Sequence, residues 1–526
     1  MQQILILLAA LLPESLFEVA LIPLSPFIVR HILKSSKNAS SESDIESFVG
    51  IYAGLLGSAF YLPLLVTNAV WGSASDQIGR KPVLMLGLAV LSVSALLFCL
   101  SNVFELALLV RFIAGVFGAN STVTKGMIGD LTVGDADKRT WSYALYGVVF
   151  GLAGILGPLI GAGLSNPLSN LSREELQKAL TASFVSRFLY KFPYAPLGIF
   201  VAITALIFIF IISRFLKETV NVDSQRERIS STSLYNSPFS SSFQVYFADK
   251  ETKKSNDQLP KVEADDGGIE PLITNEYSIA NDKTLVIEDS YASSNDVALP
   301  NSQPQNTNSS NSIGPTSSQQ SYPQRAPRFR IPKSAYVPIA LYCFIAFCNM
   351  AYISALPLYF SSSMDKGGLA FSAARVSQYI SIISISKLII QLSIFKIFIN
   401  GFGIIGSYRV GMLVFIPCLS LLTTLFKIEQ GQYLVIGVTL TLLGLCEVLA
   451  YLSAIMLITS SVREDQLGFI HGIASTCAAF VRTVAPTLAG YLWEYGSSSS
   501  RPGLVFGIVS LFSFFAILVS FLVKSN

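Results

Sequence analysis

Residues 71–84, "WGSASDQIGRKPVL", place an acid, a glycine, two bases and a proline between two long apolar runs. Charge is scarce elsewhere: the 526-residue chain is 52% hydrophobic and only 13% charged, against about a quarter charged in a soluble domain. A mean hydropathy of +0.56 is that of an integral membrane protein. The formal net charge of +3 and the lack of a basic stripe with interleaved aromatics exclude a nucleic-acid-binding design.

Working outward from that stretch, runs of about 20 mostly apolar residues, the length a helix needs to cross a bilayer, fall near 3–33, 48–71, 82–101, 105–127, 141–165 and 193–216. A second set falls near 334–360, 372–400, 403–426, 431–462, 467–494 and 503–523. The expected fold is therefore all-α, with twelve transmembrane helices in two six-helix bundles, residues 1–216 and 334–526. Residues 217–333 are Ser-, Asn- and Gln-rich without an apolar period, which predicts a long disordered linker. The first run is too long for a signal-peptide core and lacks a basic start, so it reads as a span. Cys99, Cys343, Cys348, Cys418, Cys446 and Cys477 all sit in apolar runs and read as small core residues.

The two sets look like diverged copies. "ALIPLSPF" (20–27) matches "SALPLYF" (354–360), and "GPLIGAG" (157–163) is echoed by "APTLAGY" (485–491). Parallel six-span repeats joined by a cytoplasmic linker are a known transporter architecture, with the substrate site near the midplane between the halves.

On this map residues 71–84 join spans two and three. Asp76 closes one helix, Gly79 permits a tight turn, Arg80 and Lys81 follow, and Pro82 suits the first turn of the next helix. Positive residues in short loops mark the cytoplasmic side, which puts this loop, both termini, the linker, "DADKRT" (135–140), "SVRED" (461–465) and Lys524 there. Loop 166–192 runs against the rule, with Arg173, Lys178, Arg187 and Lys191 on the outer side.

The spacing of "GSASDQIGRKP" (72–82) resembles the loop signature of the major facilitator superfamily, G-x-x-x-D-x-x-G-R-[RK], in its place between spans two and three. The resemblance implies that Gly72, Asp76, Gly79, Arg80 and Lys81 form a conformational latch between the halves, the glycines allowing close helix approach. "RFIAGVFGA" (111–119) is similar to the fourth-span signature, whose arginine, here Arg111, is linked to proton coupling. "GLAGILGPLIGAG" (151–163) resembles the fifth-span signature of antiporters from Gly154 through Gly157, Pro158 and Gly161, departing from it at Ala162. Wider strings such as "YAGLLGSAFYLP", "GGLAFSAARVSQYI" and "LGFIHGIASTCAAFVRTVAPTLAG" look like the fungal and plant drug:proton antiporters related to tetracycline exporters and zinc-induced facilitators. That branch usually has Asn where this chain has His471, and most of its members carry a cytoplasmic lead before the first span.

A charge in mid-span is costly and marks a functional candidate. Glu14 and Glu18 lie one helical turn apart beside Pro13, a spacing at which two carboxylates share a face and can hold one proton between them. With Arg111, Glu447 and Arg482 they are the candidates for proton and substrate coupling. Lys387, Glu447 and Arg482 have the makings of a charge network, although an ion pair that merely orients helices explains them equally well. Tyr61, Asn349, Tyr352, Tyr359, Lys387 and His471 are candidates for the cavity wall; aromatic packing is the alternative for the tyrosines, and a packing hydrogen bond for His471. Asp130, just after span four in "MIGDLT", is expected to cap a helix or to pair with Arg111's neighbours on the cytoplasmic side.

No metal-ligating cluster is visible, the only histidines being His31 and His471, and no cofactor is expected. Sequons begin at Asn38 and Asn170, and a third match at Asn120 falls inside a span, out of reach of glycosylation. The linker's serines and its basic exit, "QRAPRFRIPK" (324–333), suit phosphorylation and contact with anionic lipid.

Together these features predict a secondary transporter exchanging a small organic molecule or drug for protons by alternating access. It would act as a monomer in the vacuolar or plasma membrane, with the bilayer, the substrate and protons as its partners. A uniporter or proton symporter on the same fold is the nearest alternative, and a non-transporting receptor signalling through the linker is another. No Walker A motif, catalytic triad or H-E-x-x-H zinc signature supports an ATP-driven pump or an enzyme.

Overall fold

The computed structural model describes residues 1–35, 45–168, 171–219, 331–424, 432–462 and 467–523. Most of the 217–333 segment, Asn38, Asn170, residues 463–465 and Lys524 lie outside them. The first half comprises α1 (Gln2–Ala9), α2 (Leu12–Ser35), α3 (Val49–Ile78), α4 (Arg80–Cys99), α5 (Phe104–Val116), α6 (Asn120–Leu131), α7 (Ala136–Leu164), α8 (Arg173–Ala182), α9 (Phe184–Lys191) and α10 (Ala195–Phe215). The second half comprises α11 (Lys333–Ser361), α12 (Ala373–Ser393), α13 (Phe395–Leu422), α14 (Gln432–Ser460), α15 (Leu467–Ser498) and α16 (Leu504–Ser520). Among the described residues, eleven segments are long and apolar enough to cross a membrane, and α16 is a shorter apolar helix. On α10, Ile203, Leu206, Ile207 and Phe210 recur at helical spacing and are all half exposed or more, a face made for hydrocarbon rather than water.

The spans are less regular than the sequence suggests. The first breaks at Ala10 and Leu11, next to Pro13, whose ring cannot continue a helix from the preceding turn but suits the start of α2. The fourth breaks at Phe117–Ala119 into α5 and α6. Backbone freed at mid-span needs a partner because hydrocarbon offers none; the Trp71 indole donates to the Val116 carbonyl at 2.7 Å. The eighth span ends at Ser393, earlier than expected. The ninth begins at Phe395 and kinks at Gly403, whose φ of 70° a side chain would resist. The loop between spans five and six holds α8 and α9. Ser172 and Glu175 cap α8 reciprocally, and hydrogen bonding to the Ser172 backbone N–H and hydroxyl holds the Glu175 carboxyl below its usual range.

The packing repeats between the halves. In the first, α2 packs on α7, α4 on α10 and α3 on α5; in the second, the corresponding pairs are α11 with α15, α13 with α16 and α12 with α14. Across the halves, α3 meets α15 and α7 meets α12, pairs that exchange under the same six-span shift, while α2 meets α11. The duplication that short matching strings only suggest is thus expressed in the contact pattern.

For reference, the end of the bundle carrying the 71–84 loop is the Asp76 end, and the opposite one the Glu46 end. At the Glu46 end α3 and α15 touch backbone to backbone. A Cβ on Gly490 would lie 2.0 Å from the Gly50 carbonyl oxygen, and one on Gly54 would lie 2.4 Å from that of Pro486. Among the described residues, three hydrogen bonds join the halves toward this end: Arg30 to Ser361 at 3.0 Å, Ser58 with Thr487 at 2.8 Å, and Ser381 to the Ile155 carbonyl at 3.1 Å. Arg30 is in turn held by Glu46 at 2.6 Å.

Candidate functional site

Between the halves lies a cavity with about 660 Å³ of empty space, its open mouth included, walled by Glu18 and Ser25 of α2, Tyr61 of α3, Arg111 of α5, Ser354 of α11 and Pro486 of α15. Its place between the halves and its few polar groups in an apolar wall suit a small-molecule site. Of the candidate lining residues, Tyr61 faces it. Tyr352 and Tyr359 do not: both are fully buried, Tyr359 among Trp493, Phe360 and Phe506. His471 hydrogen-bonds Thr459 at 3.1 Å between α15 and α14, the packing role. Asn349 is half-buried beside Met350, which does line the cavity.

The two carboxylates of α2 do not share a partner. Glu18 takes both guanidinium nitrogens of Arg111, at 2.6 and 3.0 Å. The Phe60 ring centroid lies 4.6 Å from that guanidinium and the Phe98 ring 6.0 Å away, so the pair is held as a planar fork between aromatic faces. Glu14 instead accepts a hydrogen bond from Asn120 Nδ2 at 2.6 Å. Among the described residues no cation stands within ion-pair distance of Glu14. The idea of one proton shared between Glu14 and Glu18 therefore gives way to a neutralised acid and, one turn away, an acid with a neutral partner.

Asn120, whose sequon lies out of reach of glycosylation, is the first residue of α6 and is buried. Its position depends on Gly87: a Cβ there would lie 2.1 Å from Asn120 Oδ1. The signal that finds it is "ANSTVTK" (119–125), a polar run in mid-span where the helix has no reason to be polar unless it faces a cavity. Ser121 hydrogen-bonds Tyr146 at 2.6 Å, Thr122 donates to Asn68 at 3.1 Å, and Lys125 stands 5.3 Å from the Tyr146 ring centroid.

In the second half, the expected three-charge network is a pair. Lys387 Nζ lies 2.5 Å from Glu447 Oε2, which also accepts the Tyr352 hydroxyl at 2.8 Å. Arg482 stands apart, hydrogen-bonded to Tyr451, whose hydroxyl meets that of Tyr342 at 3.1 Å.

The 71–84 loop is tied inside its own half. The Arg80 guanidinium lies 3.1 Å from Asp76 and 3.0 Å from Asp130. Glu218 accepts the backbone N–H groups of Arg80 and Lys81 at 3.0 and 2.9 Å, and Lys81 Nζ donates to the Ser213 carbonyl at 2.9 Å. These partners cap the start of α4 and the end of α10, so in this conformation the named contacts of Asp76, Arg80 and Lys81 clasp helices of one half and do not latch the two. Asp130, which also accepts Thr219 at 2.8 Å, is a partner of Arg80. Gly79 is required twice over, by a φ of 107° and by Glu218, 2.8 Å from where its Cβ would be. Gly72 is not: its Cβ would meet Thr122 at an ordinary 3.9 Å.

In the fifth-span motif, Gly154 lets Ser384 of α12 approach to 2.7 Å of its Cβ position across the halves, whereas Gly157 and Gly161 seat α7 on α2 around Ala20, with Pro158 buried between them.

Comparison with known proteins places this architecture. The chain is 23% identical over 503 residues to the Major facilitator superfamily multidrug transporter mfsB of Aspergillus fumigatus, covering 91% of this chain and 77% of that one. It is 24% identical over 470 residues to the Arabidopsis thaliana protein ZINC INDUCED FACILITATOR-LIKE 1, covering 88% and 78%. Its fold matches the crystal structure of the human organic anion transporter MFSD10 (TETRAN), with a TM-score of 0.54, 16% identity and 98% of each chain covered. The family profile of the Major Facilitator Superfamily matches residues 7–486, in agreement with the loop signature and the twelve-span architecture, and the chain belongs to that family of membrane transporters.

Proposed function

We propose that this transporter exchanges a small organic molecule for protons, with Glu14 as the proton-carrying group. The observation that carries the reading is the contrast on α2. Glu18 is neutralised by Arg111, while Glu14, one turn away, has only the Asn120 amide as a partner and is free to change its charge without breaking an ion pair. The cavity between halves joined at the Glu46 end suits alternating access: opening that end while the other closes would carry Glu14 and the substrate from one side to the other. The relatives named above, a multidrug transporter among them, suit a small organic cargo. We also place the Asp76 loop, both termini and the linker on the cytoplasmic side, and take the protein to work as a monomer in the vacuolar or plasma membrane.

The test uses proteoliposomes with an acid interior and a pH-sensitive dye. A substrate added outside is expected to collapse the gradient in the wild type and not in Glu14→Gln. Equal collapse in the variant removes Glu14 from the mechanism; no collapse with any compound in folded protein removes exchange.

A further inference from the structure

We infer that α9 is a lipid-docking helix: its apolar face seats in the headgroup–acyl boundary at the Glu46 end, and Arg187 and Lys191 grip the phosphates of anionic phospholipid.

The helix lies in the loop whose cations run against the positive-inside pattern. At about 100° per residue, Phe184, Phe188, Val185 and Leu189 share one arc of roughly 140°. Arg187 and Lys191 lie one turn apart on the flank of that arc next to Phe184, and Tyr190 points the opposite way. Protein covers only part of the arc: Phe188 and Leu189 are half-buried, whereas Phe184 is 76% exposed and Val185 60%. Among the described residues neither Arg187 nor Lys191 has a carboxylate within ion-pair distance. The neighbouring α8 differs on both counts. It mixes Glu174 and Glu175 with Arg173 and Lys178 and buries no residue, the pattern of a helix in water.

The tethers of α9 fix what covers its apolar face. The Ala195 N–H donates to the Phe192 carbonyl at 3.1 Å, so α9 and the span α10 meet in a single turn. The Asn166 N–H, just past the end of α7, donates to the Pro193 carbonyl at 2.8 Å, and His31 Nε2 near the end of α2 lies 3.3 Å from the Lys191 carbonyl. Three spans thus end around the C-terminus of α9 and hold it at the level of the headgroups. A helix with an apolar arc and a cationic flank at that level lies in the membrane plane, its apolar face about 5–10 Å into the boundary. The long Arg187 and Lys191 side chains can then reach back to the phosphates. Their charge, unbalanced by protein, favours anionic over zwitterionic lipid. Through His31 the same contact fastens the end of α2, which carries Glu14 and Glu18, to the membrane surface.

The experiment places an environment-sensitive NBD label on Phe184→Cys or Tyr190→Cys in full-length protein lacking the half-buried Cys343 and Cys477, reconstituted in phosphatidylcholine vesicles with and without phosphatidylglycerol. The label at 184 is expected to emit to the blue, to resist aqueous iodide, and to be quenched more by a nitroxide near the top of the acyl chain than by one near its end. The label at 190 should remain open to iodide. Spin-labelled phosphatidylglycerol should associate at 184 more tightly than spin-labelled phosphatidylcholine, by about fivefold for each cation, and Arg187→Gln/Lys191→Gln should bring the two lipids to parity without moving the 184 label into water. Water-like emission with free iodide access at 184 overturns the assignment. So does a 184 label shielded from iodide and from both lipid quenchers, which would show that protein covers this face. Equal association of the two lipids in the parent protein, or a preference that survives in the double variant, overturns the phosphate role of Arg187 and Lys191.

Discussion

Adding a single methyl group at Gly490 should prise open the Glu46 end. Its Cβ would lie 2.0 Å from the Gly50 carbonyl oxygen, and such contacts are essentially never shorter than 3.0 Å, so α3 and α15 must part by at least 1.0 Å at a backbone-to-backbone crossing that cannot rotate away. Overpacking of this kind costs about 1–3 kcal/mol. Charged to the conformation closed at the Glu46 end, that is a shift of about 5- to 150-fold toward the alternative in which the two helices separate. The readout is the rate at which a membrane-impermeant maleimide modifies Ser361→Cys, whose native hydroxyl is bonded by Arg30 at that end, in a background lacking the half-buried Cys343 and Cys477. While the open fraction is small the rate follows the equilibrium constant directly. Gly490→Ala should therefore accelerate labelling at least fivefold, and Gly472→Ala, on the same helix with nothing within 4 Å of its Cβ, should leave it unchanged. A rate within twofold of the parent in folded Gly490→Ala protein would refute the claim that this glycine contact holds the end shut.

Two further outcomes follow from the same coordinates. Glu18→Gln leaves the buried Arg111 guanidinium without its carboxylate and should cost about 3–5 kcal/mol in detergent unfolding, with Arg111→Gln in the same chain recovering part of the loss; costs that simply add would show that the pair is not coupled. At α8, the depressed Glu175 carboxyl contributes capping that is complete above the usual carboxylate range and fades as pH falls through its folded-state value. Amide protection in the first turn of α8 should accordingly drop on acidification in hydrogen exchange, and Glu175→Gln should flatten the profile; an unchanged profile in the variant would assign the protection to other contacts.

The sequence by itself determined the membrane class, the number and approximate placement of the spans, the two-bundle plan and the family. It could do so because hydrocarbon imposes one rule on every residue of a span, and because the 71–84 loop is a local pattern: Gly79 needs its φ and Arg80 its acids whatever the rest of the chain does. It also singled out Glu14, Glu18, Arg111, Lys387, Glu447 and Arg482, since charge in an apolar run is visible without a fold. Who pairs with whom was not visible. Glu14 and Glu18 look equivalent on one helix, and only the docking of α5 gives Arg111 to Glu18, while only the break at Phe117–Ala119, with the space left by Gly87, brings Asn120 to Glu14. Arg482 looks like a partner for Glu447 until the packing of α12 delivers Lys387 first. Partnership at membrane depth depends on which helix faces meet, a property of tertiary packing that no single span encodes.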